Sequence, residues 1–119
     1  MPATLRTLLR AAFVICLAAV LYLALDPRPV FAGTDSDKVN HVIAFFTLAV
    51  LLRLGWPQYR IVLALLGLVG LGALIEVLQY FIGRDAAFGD LLADALGLLL
   101  GTAATMIFRL HPPASLGPD

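Results

Sequence analysis

Four long apolar runs, punctuated by short clusters of proline, glycine and charge, set the pattern of the chain. The first extends from about Leu5 to Leu25 and stops at Asp26-Pro27-Arg28-Pro29. The second extends from about Lys38 to Leu54 and stops at Gly55-Trp56-Pro57. The third covers about Ile61 to Ile82 before Gly83-Arg84-Asp85, and the fourth about Asp90 to Phe108 before His111-Pro112-Pro113. Each run approaches the roughly 20 residues that an α-helix needs to cross the hydrocarbon core of a bilayer. Proline lacks the backbone donor and glycine is a weak helix former, so the intervening clusters read as helix boundaries. The pattern predicts an all-α, polytopic transmembrane bundle of four helices at about 5–25, 38–54, 61–82 and 90–108. Residues 1–119 form a single domain on this reading, and 110–119 a short cytoplasmic tail.

Composition strengthens the membrane reading. The hydrophobic fraction is 61% and the charged fraction 13%, against roughly 45–50% and 25% in soluble domains. The formal net charge is zero, which speaks against a nucleic-acid partner, because phosphate binding needs clustered cations. The single cysteine, Cys16, lies inside an apolar run with no metal-ligand spacing around it and reads as a small apolar filler. The first run also has some marks of a signal peptide: Arg6 and Arg10 precede it and Val30-Phe31-Ala32 follows it. Its apolar core reaches the upper end of signal-peptide length, and Pro27, Arg28 and Pro29 crowd the cleavage pattern. A retained helix is therefore the favoured reading, with cleavage the alternative.

Charge also gives an orientation. With the N-terminus inside, the cytoplasmic side carries Arg6, Arg10, Arg53, Arg60 and Arg109, and the outer side Arg28, Lys38 and Arg84. Lys/Arg bias toward the cytoplasm favours this N-in, C-in arrangement, with Trp56 and Tyr59 in the inner interfacial belt.

The chemistry lies in the polar residues that interrupt the helices. The second helix opens with Asp37-Lys38-Val39-Asn40-His41, the third carries Glu76 and Gln79 ahead of Arg84 and Asp85, and the fourth carries Asp90 and Asp94. An ionisable side chain near the bilayer centre costs about 2.5–3.5 kcal/mol on insertion scales, so such residues rarely face lipid. At 100° per residue, Gly72, Glu76, Gln79 and Gly83 share one face of the third helix, and Asp90, Asp94, Gly97 and Gly101 one face of the fourth. Gly97-x-x-x-Gly101 is a small-xxx-small packing pattern, so the acids share a stripe with the packing glycines and face the bundle interior. His41 is expected about one turn from the outer end of its helix, Glu76 about 10 Å and Asp94 about 6–8 Å from theirs. The expectation is a semi-buried polar pocket open to the outside, with Arg84 pairing with Glu76 or Asp90. Five carboxylates (Asp37, Glu76, Asp85, Asp90, Asp94) against Lys38, Arg84 and a protonated His41 cannot all stay ionised at low dielectric without pairing, protonation or a cationic ligand. A purely structural network would leave the same stripe; in that alternative Asp37, Lys38 and Asp85 are solvated and Asp90 is an N-cap.

These residues together resemble the VanZ-like family of bacterial membrane proteins. The resemblance rests on Asp37-Lys38-x-x-His41-x-x-x-Phe45, then Glu76-x-x-Gln79 and Gly83-Arg84, then Asp90-x-x-x-Asp94-x-x-Gly97-x-x-x-Gly101. Many members resemble D-x-x-x-N where this chain has Asp90 and Asp94. The resemblance implies a multi-pass helical bundle in the bacterial cytoplasmic membrane. Through the name-giving member it implies a relation to teicoplanin resistance.

Three functions fit. The first is a non-enzymatic accessory protein of the cell envelope, binding a lipid-linked precursor, a glycopeptide or another amphipathic ligand through Glu76, Arg84, Asp94, His41, Asp90, Gln79, Lys38 and Asp37. The second is an enzyme acting on a lipid head group. The third is a cation- or proton-coupled transporter, which with four helices would need a dimer. Without G-x-S-x-G, H-E-x-x-H, a phosphate-cradling loop or C-x-x-C, the sequence assigns no catalytic residue, metal or cofactor. It leaves the oligomeric state open.

Overall fold

The structure, a computed structural model, describes residues 2–26, 35–83 and 88–110, with side chains over 2–26, 38–83 and 88–108. Four helices make up the described chain: α1 (Ala3–Leu25), α2 (Asp35–Gly55), α3 (Ile61–Phe81) and α4 (Phe88–Leu110). At 1.5 Å per residue, helices of this length span about 32–35 Å, a little more than the hydrocarbon core. All four are long and apolar enough to cross a membrane. Large apolar side chains cover the outside, among them Ile15, Tyr22, Leu66, Phe81, Leu99 and Ile107, a surface that only lipid or another apolar partner can solvate at this extent.

The boundaries differ from the predicted ones chiefly at the polar ends. α2 starts at Asp35 and α4 at Phe88, because helical hydrogen bonding runs on through the charged residues at which the apolar pattern stops. Acidic residues suit a helix N-terminus, where they face the unpaired N–H groups. At the other ends the punctuation acts as expected. Asp26 is extended before Pro27. α3 closes where Ile82 N donates to Leu78 O (3.1 Å) and Gly83, at φ +82°, donates to Tyr80 O (3.4 Å). That left-handed backbone is open to glycine and strained for other residues.

α2 and α4 are the closest-packed pair, and they run parallel. Their contacts advance together: Lys38 meets Asp90, His41 meets Asp94, and Ala49 meets Gly101. Gly97 and Gly101 make this approach possible. A side-chain carbon on Gly97 would run into the Val42 carbonyl and lie 2.9 Å from the Phe46 amide nitrogen; on Gly101 it would lie 2.7 Å from the Phe46 carbonyl oxygen. The predicted small-residue packing face is thus the seam with α2. Phe45, Leu48, Ala49, Leu68, Ile75 and Leu98 form the buried core. α1 contributes Phe13, Leu17, Val20 and Leu21 to its margin and buries no residue fully.

Candidate functional site

The parallel pairing of α2 and α4 brings both helix starts to one end of the bundle, and the polar residues converge there. Lys38, one turn into α2, donates from Nζ to Asp90 Oδ1 at 3.0 Å. The lysine chain passes over the first turn of α4, where Gly89 leaves room for it; a side-chain carbon there would sit 3.1 Å from Lys38 Cε. The Lys38 side chain is 52% exposed, whereas that of Asp90 is 6% exposed. Asp90 is therefore neither a solvated charge nor the N-cap of α4. It lies at the third helical position and is buried, because the helix begins two residues earlier.

One turn deeper, His41 Nδ1 and Asp94 Oδ1 are 2.6 Å apart, and His41 Nε2 lies 3.8 Å from Asp90 Oδ2. An ionised carboxylate can only accept, so with Asp94 charged the Nδ1 position carries the proton. The imidazole thus sits between two carboxylates, and its link to Asp94 is a short, charge-assisted bond. His41 and Asp94 are each six residues into their helices, about 9 Å along the axis. His41 is deeper than the single turn expected, because α2 extends one turn beyond its predicted start.

α3 closes the cluster from one side. Gly72 packs against Asp94, where an added carbon would lie 3.0 Å from Oδ2, and against Leu91 and Phe45. Glu76, one turn further along, is half-buried with its Oε1 enclosed. Gln79 is 1% exposed, but its amide donates to the Ala24 carbonyl at the end of α1 at 2.9 Å. The α3 stripe therefore divides. Gly72 serves α4, and Gln79 ties α3 to α1. Arg84 and Asp85, and the side chain of Asp37, lie outside the described residues, so the expected Arg84 pairing with Glu76 or Asp90 lies there too. The cation found on Asp90 is Lys38.

Sequence reasoning missed the continuation of the α4 stripe. Thr102 and Thr105 are both buried, and Thr105 Oγ1 donates to the Thr102 carbonyl at 2.8 Å. Thr105 lies one turn beyond Gly101, a readable signal, whereas Thr102 directly follows that glycine. Arg53, which the sequence marks only as part of the cytoplasmic charge bias, is 4% exposed and donates from Nη1 to the Tyr59 carbonyl at 2.7 Å.

An apolar groove of about 430 Å³ adjoins the polar cluster on the flank of the α2–α4 seam. Val39, Val42, Ile43, Leu92, Ala93 and Leu96 line it, with Lys38 and Gly89 at its head. Among the described residues no group of three or more His, Cys, Asp or Glu side chains is arranged to hold a metal ion.

Four membrane-length helices around a part-buried network of His41–Asp94 and Lys38–Asp90 define a multi-pass membrane protein. The family model described as VanZ/LLP1 matches residues 4–109, nearly the whole chain, and the chain belongs to that family. Comparison with curated proteins and with solved structures gave no match.

Proposed function

We propose that this VanZ/LLP1 protein is a non-enzymatic accessory protein of the bacterial cell envelope, resident in the cytoplasmic membrane, that binds an amphipathic or lipid-linked molecule at the polar end of its bundle. The N-in, C-in orientation belongs to the proposal and turns that end outward, in keeping with the arginine bias of the other end. The observation that carries the reading is the direct adjoining of the Lys38–Asp90–His41–Asp94 cluster to the apolar α2–α4 groove. A polar head group would meet Lys38 at the membrane surface, and its hydrocarbon chain would lie along Val42, Ile43, Leu92 and Leu96. Glu76 belongs to the proposed pocket as well; Arg84, the other candidate from the sequence, lies outside the described residues. An envelope precursor carried on a lipid has this two-part chemistry.

The test uses a photoreactive polyprenyl phosphate with the full-length protein in lipid nanodiscs. Labelling should concentrate on residues 39–43 and 92–96 and be displaced by unlabelled probe. Even labelling over all four helices would defeat the reading.

A second reading, an enzyme acting on the lipid head group, draws on one feature. An imidazole held by a carboxylate is oriented for proton transfer. Incubation of purified protein with a lipid-precursor mixture, with and without Mg²⁺, decides between the two; turnover lost in His41→Ala would favour the enzyme.

A further inference from the structure

We propose that the opposite end of the bundle is a binding surface for the phosphate of anionic phospholipids, with Arg6, Arg10 and Arg60 as its cations and Trp56 beside them. α1 starts at this end, α2 finishes there, and the short turn from Trp56 to Arg60 leads into α3. Arg10 is held firmly. Its Nε donates to the Gly55 carbonyl at 2.7 Å, and its guanidinium lies 5.3 Å from the centre of the Trp56 ring. Phe13, one turn along α1, meets the same indole edge-on at 5.4 Å. Gly55 permits this docking, since a side-chain carbon there would lie 3.2 Å from Arg10 Cγ. The guanidinium is thus fixed in place, and its terminal nitrogens have no hydrogen bond among the described residues.

Nothing described at this end neutralises the charge. Arg6 is one turn from Arg10 on the same face of α1, and its Nε has no hydrogen-bond partner among the described residues. Arg60 is exposed at the start of α3. No Asp or Glu occurs from Pro2 to Leu25, from Val39 to Ile75 or from Ala95 to Leu110. At the polar end, by contrast, the Lys38 ammonium sits on a carboxylate. A cluster of arginines with no acidic partner among the described residues, and a tryptophan of the interfacial belt beside it, fits an anionic phosphate. Each arginine near an anionic surface favours it by about fivefold.

Trp56 is the single tryptophan of the chain and reports on this surface directly. The full-length protein is reconstituted in phosphatidylcholine vesicles containing graded fractions of either brominated phosphatidylglycerol or brominated phosphatidylcholine, and quenching of Trp56 is measured. The expected result is stronger quenching by the anionic lipid, a preference of at least about fivefold, reduced by salt and lowered several-fold in Arg6→Gln/Arg10→Gln, which retains Arg60. If that variant does not fold by circular dichroism, Arg6→Gln/Arg60→Gln takes its place, since neither side chain makes a described bond. Equal quenching by the two lipids, or a preference that survives loss of the arginines, would overturn the proposal.

Discussion

The two ends of the bundle handle charge in opposite ways. At the polar end, side chains pair with side chains across helices far apart in sequence: Lys38 with Asp90, and His41 with Asp94. At the basic end, Arg10 and Arg53 give their hydrogen bonds to backbone carbonyls, those of Gly55 and Tyr59. The second arrangement satisfies the orphan carbonyls beyond a helix C-terminus and leaves positive charge in surplus. The first fixes which helices are neighbours and in what register. A helix end can be capped by any cation in reach, whereas a buried His–Asp contact exists for one alignment of α2 on α4. Specificity of assembly thus resides at the polar end, where side-chain pairs set the register of α2 on α4.

The contrast breaks most severely at the seam below the polar cluster. Gly97→Leu would drive a side chain into the backbone of α2, where neither the Val42 carbonyl nor the Phe46 amide can move aside. Its cost should exceed the roughly 1–3 kcal/mol of ordinary overpacking, and thermal melting in mild detergent should find no cooperative transition.

The part of the fold legible in the sequence was the part set by local pattern. Hydropathy and proline placement gave four helices, and the i+4, i+3, i+4 spacing of Asp90, Asp94, Gly97 and Gly101 gave the buried face of α4. What the pattern could not give was the neighbour each face meets. Periodicity placed Gln79 beside Glu76, yet Gln79 bonds to α1 because the α1 terminus packs there. It also left Lys38 open between pocket residue and solvated charge, because a lysine at a helix start is locally indistinguishable from one that reaches over to another helix. Only the parallel approach of α2 and α4, permitted by two glycines, turns that lysine into the partner of Asp90.

Within the cluster the effects should be unequal. His41→Ala removes from buried Asp94 its 2.6 Å bond and should cost about 3 kcal/mol, the scale for breaking a buried pair. Asp94→Asn should cost only about 1 kcal/mol, since histidine can remain neutral and the amide can still hydrogen-bond. Unfolding in a graded denaturing detergent gives both values, and equal costs would show that the carboxylate charge, rather than the hydrogen bond alone, carries the contact. Lys38→Gln should cost about 0.5 kcal/mol, because the lysine side chain is half exposed and water screens the pair. The smallest change is expected at the other end. Arg10→Gln should alter stability by less than about 1 kcal/mol while shifting the emission of Trp56, which loses its stacked cation.

The alignment of α2 on α4 is open to a direct chemical check. In a Cys16→Ser background, paired cysteines are introduced as Lys38→Cys with Asp90→Cys and, separately, as Lys38→Cys with Thr105→Cys, and a short bismaleimide is added to native membranes. Parallel helices in the described register predict rapid intramolecular crosslinking of the first pair and none of the second. Preferential crosslinking of the second pair would mean that the helices run antiparallel, and the polar cluster would not exist.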